Sequence, residues 1–230
     1  MLTVDKPPLK SDTMSVKKLQ KSFVAQIPAP SRGLTKAERT RVEILEAAVE
    51  FLWTNRFRDL TIAKLMSGTS AGRSAFYQYF DDLYDLAEAL LRGLEADIFQ
   101  VATHWLEGEG DPVPLLEKSL AGLIDITYER GPILKAVSDA SRSDERLEKE
   151  WNRFLGQFDD AVTRRIKEHQ DQGLITAFEA RPVAMALNRM DGSLLIQSFG
   201  RRPRSQSKPI REAFVRVWTS TLYPQTVRCP

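Results

Sequence analysis

The sequence contains few of the side chains that build metal sites and disulfide bonds. Cys229 is its only cysteine, which excludes an intramolecular disulfide, and its two histidines, His104 and His169, are isolated residues expected at the surface or capped. These numbers argue against the common zinc sites with three or four His and Cys ligands. A glycine-rich phosphate loop and a Gly-x-Ser-x-Gly elbow are also missing, and the carboxylates are scattered. We therefore expect no metal, no cofactor and no enzyme active site.

Long hydrophobic runs are absent as well. No segment approaches the roughly 18 apolar residues that span a bilayer, and the N-terminal residues lack the apolar core of a signal peptide. Apolar residues make up 42% and charged residues 28% of the 230 residues, which is typical of a soluble protein with one large or two small domains. We therefore expect a cytoplasmic protein without a membrane partner.

Charge is distributed unevenly, although the formal net charge is only +2. Residues 1–80 contain 13 basic and seven acidic side chains, whereas residues 81–230 contain 20 basic and 24 acidic ones. A basic N-terminal third is typical of proteins that bind a polyanion, but a basic tail would also produce this asymmetry. Residues 1–33 contain four prolines and no helical periodicity, so we predict a flexible basic extension there and a short tail over residues 224–230.

The remaining segments are predicted to be helical, which puts the chain in the all-α class. Apolar residues recur every three or four positions, cap-forming residues precede these stretches, and glycine and proline fall almost wholly between them. No segment alternates with period two, so no sheet is predicted. We expect about nine helices, which span approximately residues 35–54, 61–67, 73–79, 83–106, 112–130, 133–140, 141–172, 182–199 and 208–222.

Residues 34–81 have the layout of a helix-turn-helix unit, in which two short helices joined by a tight turn insert the last one into the major groove of DNA. Phe76 and Phe80 have the spacing that would anchor this last helix. Tyr77 and Tyr79 point away from that face and could donate hydrogen bonds to phosphates. The small or polar residues that could reach base edges are Gly72, Arg73, Ser74 and Ala75. A small helical corner with a surface cluster of aromatic residues would give the same pattern.

Four spaced stretches of residues 38–94 strengthen the DNA-binding interpretation. They are Thr40-Arg41-x-x-Ile44-Leu45-x-Ala47-Ala48, Thr61-Ile62-x-x-Leu65, Phe76-Tyr77-x-Tyr79-Phe80 and the start of the fourth helix around Leu86. Together they resemble the DNA-binding domain of the TetR family of transcriptional regulators, which implies a double-stranded DNA operator as partner. The resemblance also implies phosphate contacts by Thr40, Thr61, Tyr77 and Tyr79, base contacts by Arg73, Ser74 and Ala75, and a further phosphate contact by Lys64.

The sequence departs from the family pattern around the turn and the fourth helix. Ser70 occupies a turn position that is usually glycine, and Gly72 replaces a Ser/Thr-type cap on the last helix of the unit. Leu83 replaces a lysine that usually contacts a phosphate, and the adjacent Asp81 and Asp82 would repel the DNA backbone. These departures keep a second interpretation open, namely a helical protein that binds lipid-like ligands and whose DNA-binding unit has decayed.

Residues 82–223 are predicted to form a ligand-binding and dimerisation domain. The stretches Glu150-Trp151 to Ala161, Ala184-x-Ala186-Leu187-Asn188-x-Met190 and Val217-Trp218-Thr219-Ser220 resemble the subgroup of ethionamide-resistance regulators, whose members enclose an apolar tunnel. This similarity implies a small apolar ligand and a cavity wall formed by Trp151, Phe154, Phe158, Val162, Asn188, Asp191 and Trp218. The aromatic residues would also fit an ordinary core, and Asp191 replaces an amide of the subgroup.

The last predicted helix has two apolar stripes. Ile210, Phe214, Val217 and Thr221 form one stripe, and Phe214, Trp218 and Leu222 form the other. A helix with two such stripes contacts two partners, here the core and a second subunit. We therefore predict a homodimeric, ligand-responsive regulator, a repressor that its ligand releases from the operator. A helical enzyme that uses the same cavity is a third interpretation, although no nucleophile–base pair is visible.

Overall fold

The computed structural model describes residues 35–224. This part of the chain contains eight α-helices, a short 3₁₀ helix at Phe57–Asp59 and no β-strand, so the predicted all-α class is confirmed. The helices are α1 (Lys36–Leu52), α2 (Ile62–Met66), α3 (Arg73–Phe76), α4 (Leu83–Leu106), α5 (Pro112–Ala140), α6 (Glu145–Asp171), α7 (Ala180–Phe199) and α8 (Ser207–Leu222). The predicted extension over residues 1–33 and residues 225–230 of the predicted tail lie outside the described residues.

Side-chain caps determine where several helices begin. Thr35 and Glu38 form the predicted capping box of α1, in which the Thr35 amide donates to Glu38 Oε2 at 2.7 Å and the Glu38 amide donates to Thr35 Oγ1 at 3.2 Å. Three longer helices begin after an aspartate that accepts hydrogen bonds from the first turn: Asp82 at α4, Asp111 at α5 and Asp144 at α6. The predicted starts of α1, α4 and α5 therefore agree with the structure, whereas α6 begins at Glu145, after the Asp144 cap, and not at the predicted Ser141.

A single long helix, α5, replaces two predicted ones. The dipeptide Gly131-Pro132 predicts a break, yet α5 runs through both residues, and both are buried. Pro132 cannot donate an amide hydrogen bond, but Gly131 packs directly against the backbone of Phe199 at the end of α7. A β-carbon at position 131 would overlap the carbonyl oxygen of Phe199. The packing of α5 on α7 therefore outweighs the local preference for a break.

The other differences from the predicted helices are small shifts at helix ends. Helix α3 ends at Phe76, and the chain continues as turns in which the Tyr79 amide donates to the Phe76 carbonyl oxygen at 3.0 Å. Helix α7 begins at Ala180, so Pro182 lies in its first turn, where proline is tolerated. None of the helices in residues 35–224 is long and apolar enough to cross a membrane.

The helices form two regions that share one hydrophobic core. We call residues 35–82, with α1 to α3, the head, and residues 83–224, with α4 to α8, the body. In the head, α2 packs against both α1 and α3; in the body, α4 packs mainly on α5, α6 packs on α7, and α5 also contacts α7 and α8. The buried apolar residues of both regions form one continuous cluster, so the head is attached to the body by packing as well as by the chain.

Candidate DNA-binding surface and ligand cavity

Aromatic residues hold the short helix α3 against the rest of the head. Phe76 and Phe80 are buried, and their ring centres lie 5.6 Å apart. The guanidinium group of Arg41 on α1 lies over the Phe80 ring at 5.4 Å, within the range of a cation–π interaction. These contacts fix the inner face of α3 and leave its opposite face in solvent.

The turn between α2 and α3 is fixed by a carboxylate from α1. Glu43 accepts hydrogen bonds from both the backbone amide and the hydroxyl of Ser70, and the hydroxyl bond is 2.8 Å long. The Thr69 hydroxyl donates to the carbonyl oxygens of Met66 and Ala71. The serine that replaces the usual glycine is therefore a partner of Glu43 and stabilises the turn. Sequence patterns do not reveal this contact because its two residues are 27 positions apart.

Most of the nine residues predicted to contact DNA are exposed. The exposed residues are Thr61, Lys64, Gly72, Arg73, Ser74 and Tyr77, and the half-buried ones are Thr40, Ala75 and Tyr79. Tyr77 has 56% of its surface exposed, which is unusual for a large aromatic residue. The side chains of Arg73 and Ser74 have no hydrogen-bond or ion-pair partner within residues 35–224. The first turn of α3 therefore presents free polar groups to solvent.

Three of the predicted DNA-contacting residues also form hydrogen bonds within the head. The hydroxyl of Thr61 caps α2 by accepting from the Lys64 amide at 3.2 Å. Lys64 Nζ donates to the carbonyl oxygen of Asp59 at 2.9 Å, and the Thr40 hydroxyl donates to the carbonyl oxygen of Lys36 at 3.1 Å. A phosphate contact by Lys64 would therefore replace or share an existing hydrogen bond.

The carboxylate of Asp82 is occupied by contacts within the chain. Its Oδ1 accepts from the amides of Tyr84 and Asp85 at 2.8 and 2.9 Å, and its Oδ2 accepts from the Arg146 guanidinium at 2.8 Å. Burial alone would raise the pKa of Asp82, but these hydrogen bonds lower it below its usual value. Arg146 thus offsets much of the repulsion that the sequence predicts between Asp82 and DNA, whereas Asp81 remains exposed.

Two small cavities lie among the helices of the body, and both are partly open to solvent. Each has a volume of about 70 Å³, and they share the wall residues Ile98, Leu123, Phe158, Asn188 and Asp191. The seven residues predicted to bind a ligand all line at least one cavity: Trp151 and Phe154 line the first, Val162 and Trp218 line the second, and Phe158, Asn188 and Asp191 line both. The structure brings these residues together, while their role in ligand binding stays a prediction.

Aromatic rings form most of the wall that α6 contributes to the cavities. The rings of Trp151 and Phe154 stack at 5.4 Å, and Phe154 meets Phe158 edge-on at 5.1 Å. Phe158 also stacks on Phe99 of α4 at 4.3 Å. Phe154 is buried, whereas Trp151 and Phe158 are half-buried. These residues pack in the core and also face the cavities, so the core and wall interpretations of the sequence do not exclude each other.

The polar groups in the cavity wall come mainly from α7. Trp218 Nε1 donates to the two carboxylate oxygens of Asp191 at 3.2 and 3.0 Å. Burial raises the pKa of Asp191 well above its usual value, although the hydrogen bond from Trp218 opposes the shift. The side-chain amide of Asn188 donates to Asp159 at 2.9 Å, and Asp159 also binds the Arg189 guanidinium. Asp191 is therefore a buried carboxyl group that favours its neutral form.

A larger cleft lies between the head and the body. It has a volume of about 620 Å³, and its lining includes the basic residues Arg56, Arg58, Lys135, Arg142 and Arg201. Exposed arginines form much of its rim, so it is a surface groove with a strongly basic edge. The two cavities in the body are better candidates for a ligand site despite their size, because aromatic walls with few polar groups are typical of sites for small organic molecules.

Part of the cavity wall has no distinctive sequence pattern. The contributions of α4 and α5 are largely aliphatic residues, such as Ile98, Leu123 and Leu134, which look like any core residue in the sequence. Trp105 on α4 also lines the second cavity and meets Trp218 edge-on at 5.8 Å. A tryptophan on an apolar helix is the one signal in this part of the wall that sequence analysis could have used.

The sequence predicts that His169 is either at the surface or capped, and the structure excludes the surface position. His169 is buried, and its Nδ1 lies 2.7 Å from the hydroxyl of Tyr223, which also accepts from Trp105 Nε1 at 2.9 Å. The hydroxyl of Tyr223 therefore joins the side chains of Trp105 and His169 in the core. Tyr223 is 54 residues away from His169 in the sequence, so no local pattern reveals the partner.

Comparison with known proteins matches the C-terminal half to a family model and the overall fold to solved structures. Residues 116–224 match the family model described as "Transcriptional regulator EthR, C-terminal domain". The chain also resembles the solved structure of the TetR-family regulator PfmR from Thermus thermophilus, with a TM-score of 0.64, 14% identity and coverage of 78% of this chain and 98% of the other. The chain has a TetR-family regulator fold with an EthR-like C-terminal half.

Other solved structures share the TetR-regulator fold at similarly low identity. GusR from Salmonella enterica has a TM-score of 0.63 and 18% identity, with coverage of 83% of this chain and 99% of that one. A predicted transcriptional regulator from Saccharomonospora viridis, solved in complex with choline, has a TM-score of 0.62, 16% identity and coverage of 79% and 96%. None of the curated protein sequences matches the chain. The EthR-like match includes the α6, α7 and α8 walls of the cavities but not α4 or the head.

Proposed function

We propose that this chain is a ligand-responsive transcriptional repressor that acts as a cytoplasmic homodimer. The observation that carries the proposal is the geometry of α3, whose inner face is anchored by Phe76 while Arg73 extends from its first turn without a partner in residues 35–224. An anchored helix with free polar groups at its N-terminus suits base recognition in the major groove. The TetR-regulator fold and the EthR-like half support the same class of function.

In the proposed complex, the exposed end of α3 faces the bases and its surroundings contact the backbone. Arg73 would bind guanine with two hydrogen bonds, Ser74 would donate to a base edge, and Ala75 would pack on a thymine methyl. Gly72 has open space around its α-carbon, so the backbone can approach DNA closely there. The proposed phosphate contacts are Thr40, Thr61, Lys64, Tyr77 and Tyr79.

We propose that α7 and α8 form the dimer interface. Met185 on α7 and Val217 on α8 are apolar, yet they are 39% and 36% exposed. On α8, Phe214 and Trp218 are buried in the core, which leaves Val217 and Thr221 on the outer side. Association about a two-fold axis would pair two α3 helices with two half-sites one helical turn of DNA apart.

Helix α4 provides the proposed connection between ligand and DNA. It begins after the Asp82 cap, six residues beyond the end of α3, and its Ile98, Val101 and Trp105 line the second cavity. A ligand that prefers one position of α4 would change the spacing of the two α3 helices in the dimer. The ligand can shift the equilibrium between the two positions of α4 only by as much as its affinity for them differs. The similar structure that contains choline supports a small-molecule site in this fold.

Binding to the DNA upstream of the chain's own gene tests the proposal. We expect fluorescence anisotropy to show binding that weakens as salt rises and that is about 10³-fold or more tighter than binding to a scrambled duplex. Arg73→Ala should weaken the specific binding by about 10- to 100-fold, since one base contact of this kind contributes about 1–3 kcal/mol.

A matched variant controls for the loss of positive charge. Arg164→Ala removes an exposed arginine from α6 in the body, so it should leave operator binding unchanged. If the upstream DNA does not bind, selection from a library of genomic fragments supplies other candidate operators. Recovery of no fragment by the wild-type protein would contradict the repressor proposal.

A second candidate is a binding protein for lipid-like ligands whose DNA-binding unit has decayed. The observation that favours it is Leu83, which replaces the family's phosphate-binding lysine and packs, half-buried, against the cleft between head and body. This candidate predicts ligand binding together with weak DNA binding that is indifferent to sequence. The same anisotropy titration therefore distinguishes the two proposals, and neither of them requires catalysis.

A further inference from the structure

The two cavities contain one ionisable side chain between them. Asp191 lies in the shared wall, and the other lining residues are apolar or aromatic apart from Ser119 and Asn188. No lysine, arginine or histidine lines either cavity. Any charge that a ligand brings into this space therefore meets a carboxyl group and no basic side chain.

The carboxyl group of Asp191 has unused capacity to accept hydrogen bonds. A carboxylate offers about four acceptor positions, but the single N–H of Trp218 is its only donor in residues 35–224, and its two oxygens share that donor at 3.0 and 3.2 Å. The neighbouring Asn188 makes no hydrogen bond to Asp191 within residues 35–224, and its amide nitrogen donates to Asp159 at 2.9 Å. A ligand that donates hydrogen bonds would complete this group.

Aromatic rings surround the remaining space. Trp151, Phe154 and Phe158 line the cavities from α6, while Trp105 and Trp218 close the second cavity. The faces of tryptophan and phenylalanine attract cations, and tryptophan does so most strongly. A carboxylate with aromatic walls is the combination that recognises organic ammonium groups.

The charged residues closest in sequence to Asp191 do not compete for it. On α7, the guanidinium of Arg189 is bound to Asp159 of α6 at 2.7 Å, and its side chain is 42% exposed. On α8, the residue that faces Asp191 is Trp218, which is uncharged. The parts of α4 and α5 that line the cavities carry no charged side chain. The negative charge of an ionised Asp191 is therefore uncompensated until a ligand supplies the positive partner.

We propose that the cavity recognises an organic cation, with an ammonium head group that pairs with Asp191 and an apolar tail that lies against the aromatic wall. This inference rests on the proposed ligand-responsive function and specifies the chemical class of its ligand. A primary ammonium group suits the small volume of each cavity, about 70 Å³, and donates three hydrogen bonds. The shared position of Asp191 allows the head group to occupy one cavity while the tail enters the other.

Binding of such a cation is coupled to release of a proton. Burial raises the pKa of Asp191 well above its usual value, which favours the neutral carboxyl group over the carboxylate when no cation is bound. When the ammonium group enters, Asp191 loses its proton to the solvent, and the ammonium group keeps its own hydrogens to donate to the carboxylate. The product is a neutral ion pair inside the cavity. A neutral ligand of the same shape would release no proton.

Isothermal titration calorimetry with n-hexylammonium and 1-hexanol tests the proposal, because these probes have nearly the same size and differ in charge. We expect the wild-type protein to bind n-hexylammonium at least about tenfold more tightly than 1-hexanol, as a buried charge pair of this kind contributes more than the ~1.4 kcal/mol that tenfold represents. Asp191→Asn should abolish this preference. Asp160→Asn removes the same charge from an exposed position on α6 and should preserve it.

A second measurement uses the wild-type protein alone, so it does not depend on the folding of any variant. Titrations in two buffers with different heats of ionisation should report proton release on binding of n-hexylammonium that falls as the pH is raised, and none for 1-hexanol. Equal affinities for the two probes, or binding of neither probe at millimolar concentration, would each overturn the proposal.

These outcomes are separate from those of the proposed function. If 1-hexanol binds as well as n-hexylammonium and the wild-type protein still binds its operator, the cation proposal fails while the ligand-responsive repressor stands. If n-hexylammonium binds through Asp191 but no operator is found, the cation site stands and the repressor proposal fails.

Discussion

At Asp191, burial of a carboxyl group has a consequence for stability that does not depend on any ligand. In the unfolded chain an aspartate ionises near pH 4, whereas in the folded protein burial raises the pKa of Asp191 well above that value. Between these two pKa values the folded state holds a proton that the unfolded state has lost. The free energy of unfolding therefore falls as the pH rises from about 4 towards the folded pKa.

Asp191→Asn should remove this penalty because the amide does not ionise. We expect the variant without ligand to unfold at a higher temperature than the wild-type protein at pH 7.5, and the difference to disappear as the pH approaches 4. Thermal unfolding followed by circular dichroism at several pH values measures it. Asp160→Asn, at an exposed position, should follow the wild-type curve. A constant difference between Asp191→Asn and wild type at all pH values would contradict this explanation.

His169 should produce the opposite pH dependence. Burial, with a smaller contribution from the positive charge of Arg165, lowers the pKa of His169 to about 4, whereas the unfolded residue titrates near 6.5. Below pH 6.5 the unfolded state binds a proton that the folded state does not, so stability is lost as the pH falls from about 6.5 to about 4. The loss is on the order of 2–3 kcal/mol for this group.

A pair of histidine variants isolates the contribution of His169. His169→Gln should flatten the pH dependence of the unfolding free energy between pH 6.5 and 4, although it also weakens the contact with Tyr223 and lowers stability at pH 7. His104→Gln changes the other histidine, which is half-buried on α4, and should retain the wild-type slope. Urea titrations at fixed pH values provide the free energies. An unchanged slope in His169→Gln would argue against the buried neutral imidazole.

At the scale of helices, the crossing of α5 and α7 depends on the absence of a side chain. Gly131→Ala would force a β-carbon into the carbonyl oxygen of Phe199, and backbone cannot yield as a flexible side chain does. We expect this change to lower the free energy of unfolding by about 2 kcal/mol or more, since overpacking typically costs about 1–3 kcal/mol. Denaturant unfolding measures the difference.

Gly156 offers the matched control, because it also lies inside a long helix but has no neighbour within 4 Å of a built β-carbon. Gly156→Ala should raise the free energy of unfolding by up to about 1 kcal/mol through helix propensity alone. If both Gly131→Ala and Gly156→Ala raised the free energy of unfolding, helix propensity would explain the data better than the crossing of α5 and α7.

The crossing of α5 and α7 also shows which features of the fold can be predicted from the sequence and which cannot. The helix starts at Thr35 and Asp111 follow from residues within one turn, so their patterns are visible locally. The continuity of α5 through Gly131 depends on Phe199, which is 68 positions further along the chain, so only tertiary packing reveals it. The cavity follows the same rule: the aromatic stripe of α6, including Phe158, predicts its wall, whereas the aliphatic surfaces of α4 and α5 have no distinguishing mark.

At the scale of the whole molecule, the loop after α7 connects the body to the head. Arg202 and Arg204 lie over the ring of Trp53 at the end of α1, at 4.9 and 5.2 Å. Arg202 also pairs with Glu50 at 2.8 Å, across 152 positions of sequence. Together with Arg146 at the start of α6, which binds Asp82, this loop gives the cavity helices two contacts with the head in addition to α4 itself. A shift of α7 at the cavity can therefore reach α1 without passing through α4.

The proposed dimer determines whether such shifts act on one DNA half-site or on two. A substitution of Val217, on the outer side of α8, tests whether this dimer forms. Val217→Glu would bury a charge at the centre of the proposed α8 interface, so we expect sedimentation velocity to detect monomers at micromolar concentrations where the wild-type protein is dimeric. Operator affinity should fall by about tenfold or more, because a monomer contacts a single half-site.

Leu174→Glu is the matched control for this prediction. Leu174 is also an exposed apolar residue, 46% accessible, but it lies between α6 and α7 and outside the outer face of α8. The same substitution there should leave both the dimer and operator binding intact. If Val217→Glu remained dimeric, the interface would have to lie on another surface. If it became monomeric but kept full operator affinity, the two α3 helices could not be reading paired half-sites, and the ligand could not act by changing their spacing.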